Sequence, residues 1–211
     1  RQQASYCVLL ILQMEKDQWS ELFPSLFEIA SSNISQYSTE AHCGAIYCFK
    51  NIIQSDIPFD QIEEFVENFY FLIIHILSAS EIESEILYND SFECYISILH
   101  RLEENSRIDD EIALKCFEII DKSIDTFGIA KSHTYLTALF STFKGLYSTS
   151  ICDHIYKYLD LSKQILQDGN LDQQIDVLYR WEEIANFEQK QSQSQNIIDS
   201  ISESFFPISL N

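Results

Sequence analysis

The stretch 17–29, DQWSELFPSLFEI, decides how the fold is read. Asp17 stands where a helix N-cap stands, with Ser20 and Glu21 in the first turn, so a helix is expected to begin there. Leu22, Leu26 and Ile29 recur at i, i+4 and i+7, which is one face of a helix, and Phe23 and Phe27 lay a second apolar stripe beside it. A helix apolar over so much of its circumference is covered by neighbours on more than one side. Pro24 removes a backbone donor inside the helix and predicts a bend. A bent, doubly covered helix with a second helix close behind it is one unit of a stacked array, and the remaining chain repeats that unit.

Downstream of a polar connector at Ser31–Ser38, helical periodicity returns over Thr39–Gln54, with Ala41, Ala45, Cys48 and Ile52 on one face. The small residues there permit close helix approach. Ser55–Pro58 breaks the pattern. Further helices are predicted over Asp60–Ser78 (Phe65, Phe69, Leu72, Ile73 and Ile76 inward) and Ile86–Leu102 (Leu87, Cys94, Tyr95, Ile98 and Leu102 inward). Asp109–Ile124 follows, with Asp109 and Asp110 where the helix dipole favours carboxylates. Phe127-Gly128 reads as a turn. Ser132–Tyr147, Cys152–Gln167 and Leu171–Phe187 complete the series, the last with Leu171, Ile175, Leu178 and Trp181 inward. Asp168-Gly169-Asn170 is a turn between the final two. Residues 2–14 read as a helix, Gln189–Gln195 as a mobile low-complexity loop, and Ile197–Phe206 as the start of one more helix.

No stretch reads as a strand, so the class is all-α. The helices pair through short loops, which favours antiparallel neighbours. Leu22, Phe69, Cys116 and Leu159 mark the first helix of each pair at intervals of roughly 47, 47 and 43 residues, the period of HEAT-type repeats. A repeat of this kind cannot bury both faces alone; stacking supplies the core and gives an α-α superhelix, a solenoid of HEAT/armadillo-like repeats. The expectation for 1–211 is one array of about four helix pairs with partial repeats at both ends. Because the chain opens on Arg1 rather than Met, it reads as a fragment of something longer.

The net charge of −20 disfavours nucleic acid and anionic lipid as partners and favours a basic or weakly charged one. The six cysteines, Cys7, Cys43, Cys48, Cys94, Cys116 and Cys152, contain no CxxC pair, and their spacings suit neither zinc nor a disulfide framework. Reduced core thiols are the expectation, which points to cytosol or nucleus. CVLLIL at 7–12 is far short of the ~18 residues a bilayer span needs, and no signal peptide is read.

Enzyme readings find little support. Asp109-Asp110-Glu111 suggests a metal-binding carboxylate helix, but such a site needs a second cluster facing it, and Asn89-Asp90…Glu93 lacks the spacing. Cys152-Asp153-His154 are adjacent and project around a helix, so they cannot converge on one metal. No GxSxG, Walker or GxGxxG pattern occurs, and the histidines are scattered. No catalytic residue, cofactor or metal is expected.

With these residues in view, the chain resembles the N-terminal part of the importin-β family of nuclear import receptors. EKDQWSELFPSL at 15–26 is similar to that family's acidic or polar residues followed by Q-W-P-E-L-I-x-x-L, with Ser20 in place of proline. STEAHCGAIYCFKNI at 38–52 is similar to K-E-A-T-L-E-A-I-G-Y-I-C, FLIIHIL at 71–77 takes the place of I-L-T-A-I-I-Q-G-M, and LYRWEEIANFE at 178–188 is similar to I-E-F-W-S-x-I-C-D-E-E. The ordered series covers nearly the whole chain.

The resemblance implies a receptor that shuttles between cytoplasm and nucleus through the nuclear pore. Its partners would be nucleoporin Phe-Gly repeats on the outer helices, Ran-GTP, and basic cargo or an importin-α adaptor on the inner ones. By that carry-over the Phe-Gly pocket falls on Tyr70, Phe71 and Ile74 of one outer helix and on Asp110, Ala113 and Leu114 of the next. The family has Phe where Ala113 stands. A second groove would lie between the helices starting at Asp109 and Cys152. A Phe side chain in such a groove gains ~1.5–3 kcal/mol, a weak and quickly released contact. Trp181 and Glu182 are the implied cargo residues, with Glu40, Glu93, Asp172, Asp176 and Glu183 as further acidic positions on inner helices. The alternative is a HEAT scaffold of another pathway, such as a phosphatase regulatory subunit or a coat- or condensin-like scaffold.

Overall fold

The computed structural model describes residues 7, 8, 10, 19–32, 36–79, 84–127 and 149–191. Among these it is all-α: seven helices and no strand. They are α1 (Trp19–Ser31), α2 (Thr39–Ile53), α3 (Glu63–Ser78), α4 (Glu85–Glu104), α5 (Asp110–Phe127), α6 (Thr149–Asp168) and α7 (Leu171–Gln191), with a 3₁₀ turn at Phe59–Gln61. The chain forms two compact units, Arg1–Asn105 and Ser106–Asn211. The predicted helices over Ser132–Tyr147 and Ile197–Phe206 lie outside the described residues. So do Asp17 and most of 2–14, where Cys7, Val8 and Leu10 are helical.

In the first unit α1 packs on α2 and α3 on α4, and the two pairs meet helix to helix, α1 on α3 and α2 on α4. The side chains give the register. Phe23 stacks on Phe65 with ring centroids 4.1 Å apart, and Phe27 meets Phe69 edge-on at 5.6 Å; both pairs are 42 positions apart. Between α2 and α4, Lys50 pairs with Glu93, and the Gln54 amide donates to Ser97 Oγ at 2.8 Å, each 43 positions apart. Just beyond α2, Arg101 donates to the Ile57 carbonyl 44 positions back. An offset that holds along both helices of a pair means that they run parallel, so the second helix pair sits on the first as a translated copy. The offset is shorter than the interval of roughly 47 between Leu22 and Phe69 expected of the repeat. In space Phe69 lies against Phe27, a little more than one turn further along α1 than Leu22.

The core follows from that register. Phe23, Leu26 and Ala30 of α1 are buried, while Leu22 and Ile29 are only half-covered, so the buried stripe runs one position round from the expected face. α2 buries Ala45, Ile46, Phe49, Ile52 and Ile53. Phe49 stacks on Phe69 at 3.6 Å, and Tyr95 of α4 stacks near Tyr70 at 6.1 Å. Phe69 is thus held between α1 and α2 and is fully buried. In α4 all five expected positions, Leu87, Cys94, Tyr95, Ile98 and Leu102, are buried.

Local chemistry sets the helix ends. Ser38 caps α2 by accepting from Ala41 N–H at 3.4 Å, and Ser84 caps α4 by accepting from Leu87 N–H at 3.3 Å. The expected helix from Asp60 opens instead as the 3₁₀ turn, because Pro58 precedes it and Ile62, at φ −122°, turns the chain before α3 starts. α1 continues through Pro24, as the sequence placed it. α4 ends with Ser106 at φ 55°, a left-handed residue just past the helix.

In the second unit α5 contacts α6, and α6 packs on α7. Asp109 caps α5 as expected, its carboxylate accepting from Ile112 N–H at 2.9 Å. α5 runs on to Phe127, where a turn was expected. Gln189–Gln191, expected in a mobile loop, extend α7 by one turn. The turn between α6 and α7 is tightly built. Asn170 Oδ1 accepts from Gln173 N–H while Gln173 Oε1 accepts from Asn170 N–H, both at 3.0 Å, a reciprocal capping box. Gln174 Nε2 donates to the carbonyls of Leu166 and Gly169, satisfying the end of α6. A Cβ at Gly169 would collide with the backbone oxygen of Ile165. Gly169→Ala is therefore expected to cost more than about 1 kcal/mol, read from urea unfolding midpoints, whereas a surface Gly→Ala is ordinarily neutral or stabilising.

Candidate functional site

The first half of the expected pocket lies on α3. Phe71 is 68% exposed and Ile74, one turn on, is half-buried. Tyr70 is buried, its ring edge-on to Phe71 at 5.6 Å and stacked near Tyr95. Tyr70 thus acts as a floor under Phe71. The helix puts Phe71 and Ile74 on one turn, with Glu67, Asn68 and His75 exposed around them.

The second half lies on α5, in the other unit. Leu114 is 39% exposed and Ala113 is fully buried. Asp110 is the first residue of α5, and its side chain lies outside the described residues. The six positions therefore divide three and three between the units, and each half offers one exposed large apolar side chain, Phe71 and Leu114. Their chain neighbours Tyr70 and Ala113 are buried. For the second expected groove, α5 and α6 are in contact, but the side chains of 151–158 lie outside the described residues.

The expected cargo positions separate. Trp181 is only 6% exposed and donates its indole N–H to Ser162 Oγ of α6 at 3.1 Å, so its ring packs in the α6–α7 contact. Glu182, beside it, is exposed, as are Asp172 and Asp176. Glu93 is paired with Lys50, which offsets its charge locally. Glu40 is exposed at the start of α2, and the side chain of Glu183 lies outside the described residues.

Three of the four core positions expected on α7 are not core. Leu171 is 68% exposed, Ile175 41% and Leu178 47%, and Tyr179 beside them is 63% exposed. Val177 and Trp181 face α6 instead and are buried. The apolar period of α7 was visible in the sequence; that half of it is uncovered was not.

Three of the thiols are core groups, whereas Cys7 is exposed and Cys48 half-buried, against the expectation, and the side chain of Cys152 lies outside the described residues. Cys43, Cys94 and Cys116 are buried and unbridged, and burial pushes the thiols of Cys94 and Cys48 up. No group of His, Cys, Asp and Glu that could hold a metal ion occurs among the described residues. No described helix is long and apolar enough to cross a membrane.

Among the described residues the chain is all-α, with two stacked helix pairs in its first unit and exposed apolar and acidic positions in both units. Comparison of the chain with models of known families, with curated proteins and with solved structures finds no match.

Proposed function

We propose that the chain is a HEAT-type solenoid segment of an importin-β-like nuclear import receptor, binding nucleoporin Phe-Gly repeats and contributing to Ran-GTP and cargo binding. The observation that carries the array reading is the constant offset of 42–44 positions between α1 and α3 and between α2 and α4. A translated helix pair is what a repeat architecture requires. The transport reading adds the ordered sequence resemblance, the acidic surface and the exposed Phe71 and Leu114.

The chemistry suits the task. Contacts with Phe-Gly repeats must be many and weak, so that a receptor exchanges between them quickly. Phe71 and Ile74 on one turn offer a shallow apolar step on a rigid helix, backed by Tyr70 and Tyr95. One Phe buried against such a step gains ~1.5–3 kcal/mol before association costs, too little for a stable single contact, so binding comes through repetition. The same architecture serves scaffolds of other pathways, so the partner decides between the readings.

Ile74→Asp is the direct test. The variant places a carboxylate beside Phe71 at a half-buried position. Phe-Gly peptide binding, read by fluorescence anisotropy or NMR shift perturbation, is expected to weaken at least fivefold while the helical circular dichroism is retained. Unchanged affinity in a folded variant removes this site.

A further inference from the structure

We propose that the Asn105–Ser106 peptide is a self-modifying site: the asparagine side chain closes on the following backbone nitrogen and converts to aspartate and isoaspartate. The proposal stands apart from the transport reading and rests on one exposed dipeptide and its surroundings. Both residues are exposed, and both lie past the last turn of α4. The division between the two compact units falls at this peptide bond.

Sequence and structure single it out together. Ring closure needs a small following residue, a backbone N–H outside a helix, and freedom to rotate about the bond between them. Every other asparagine with a successor in the sequence is followed by Ile, Phe, Leu or Asp. Asn51, Asn68 and Asn89 also stand inside helices, where the next N–H is committed to a carbonyl four residues back. Asp168-Gly169, open to the same reaction from an aspartate, is tied as well: Gly169 N–H donates to the Ile165 carbonyl at 2.8 Å. The Ser106 N–H meets no acceptor among the described residues. Ser106 sits at φ 55°, a left-handed conformation that strains a serine, so its own preference does not oppose leaving it. Asn105 is restrained locally, its N–H donating to the Leu102 carbonyl at 3.2 Å and its Nδ2 to the Arg101 carbonyl at 2.7 Å. At ψ 11° its side-chain carbon is turned away from the Ser106 nitrogen, and rotation about the Asn105 Cα–C bond brings the two together.

The chemistry needs only water. The Ser106 nitrogen attacks the side-chain carbonyl carbon of Asn105 and gives up its proton to solvent. The bond to Nδ2 breaks, and that nitrogen takes a proton from solvent and leaves as ammonia. The product is a five-membered succinimide. Water opens it at either carbonyl; one opening gives aspartate, the other isoaspartate, whose main chain runs through the side-chain carbon. Either product puts a carboxylate where the last carbonyls of α4 already carry partial negative charge, next to Glu104, and removes the donor to the Arg101 carbonyl. Arg101 also donates to the Ile57 carbonyl and pairs with Glu104, so the modification loosens the turn that ties α4 to the loop after α2. Because the reaction is spontaneous, its extent rises with the age of the chain.

The test incubates the full folded chain in warm, mildly alkaline buffer and maps its peptides by mass spectrometry. Conversion of amide to acid is expected at Asn105 at least tenfold faster than at Asn51, with the product split into two isobaric peptides, aspartate and isoaspartate. The folded chain is expected to convert at no less than a tenth of the rate of the urea-unfolded chain. Ser106→Gly, which removes the side chain and suits φ 55°, is expected to speed conversion at least threefold. Asn105→Gln, whose longer side chain must close a six-membered ring, is expected to abolish it. A smaller excess over Asn51, aspartate without isoaspartate, a folded rate below a tenth of the unfolded one, or a smaller acceleration in Ser106→Gly overturns the proposal.

Discussion

Phe69→Ala is expected to destabilise the first unit by about 3–5 kcal/mol, the range for emptying a buried aromatic site. Phe69 has no exposed surface and touches two other helices through rings, Phe27 of α1 edge-on and Phe49 of α2 at 3.6 Å. Its removal takes away the shared partner of both. The neighbours cannot close the gap easily, because Phe23 and Phe65, one turn earlier, already stack on each other at 4.1 Å. Hydrogen exchange should show the loss of protection in α1–α4. Phe69→Leu, which keeps much of the volume, should cost clearly less. A Phe69→Ala protein within about 1 kcal/mol of wild type in urea unfolding would contradict this description of the core.

Trp181→Ala is the counterpart in the second unit, with an expected cost of about 3–5 kcal/mol. Two effects add here. The indole fills the α6–α7 contact beside Val177, and its N–H donates to a buried hydroxyl, that of Ser162. Ser162→Ala separates the two: it leaves the ring in place and removes the acceptor, for an expected cost of about 1–3 kcal/mol. If Trp181 instead served a partner, Trp181→Ala would leave stability nearly unchanged and weaken binding alone. Denaturant unfolding of the two variants distinguishes these outcomes.

Much of the fold was legible because long apolar periods and capping residues act locally. α4 shows this best: five inward positions were readable over five turns, and all five are buried. Asp109 was readable as a cap because a carboxylate before a periodic run has one common use there. Register was less legible. Leu22, Phe23 and Phe27 are equally suitable landmarks by type, so pairing Phe69 with Leu22 rather than Phe27 could not be settled by periodicity. The 3₁₀ start at Phe59 was missed because Asp60 also looks like a helix cap. The face of α7 was misjudged for a different reason. Periodicity shows which residues share a side, not whether anything lies against that side, so Leu171, Ile175 and Leu178 read as core. At the expected pocket, sequence could nominate Tyr70 with Phe71 and Ala113 with Leu114, but which member of each pair is exposed depended on packing within each unit.

Retention of the chain on immobilised Phe-Gly repeats, beside the same repeats with Phe replaced by Ser, tests the transport reading most directly. Retention on the Phe-Gly surface, lost on the Ser surface and reduced by Ile74→Asp, is the result predicted. A folded chain that passes both surfaces alike would contradict it and leave the stacked helix pairs as a scaffold for other partners.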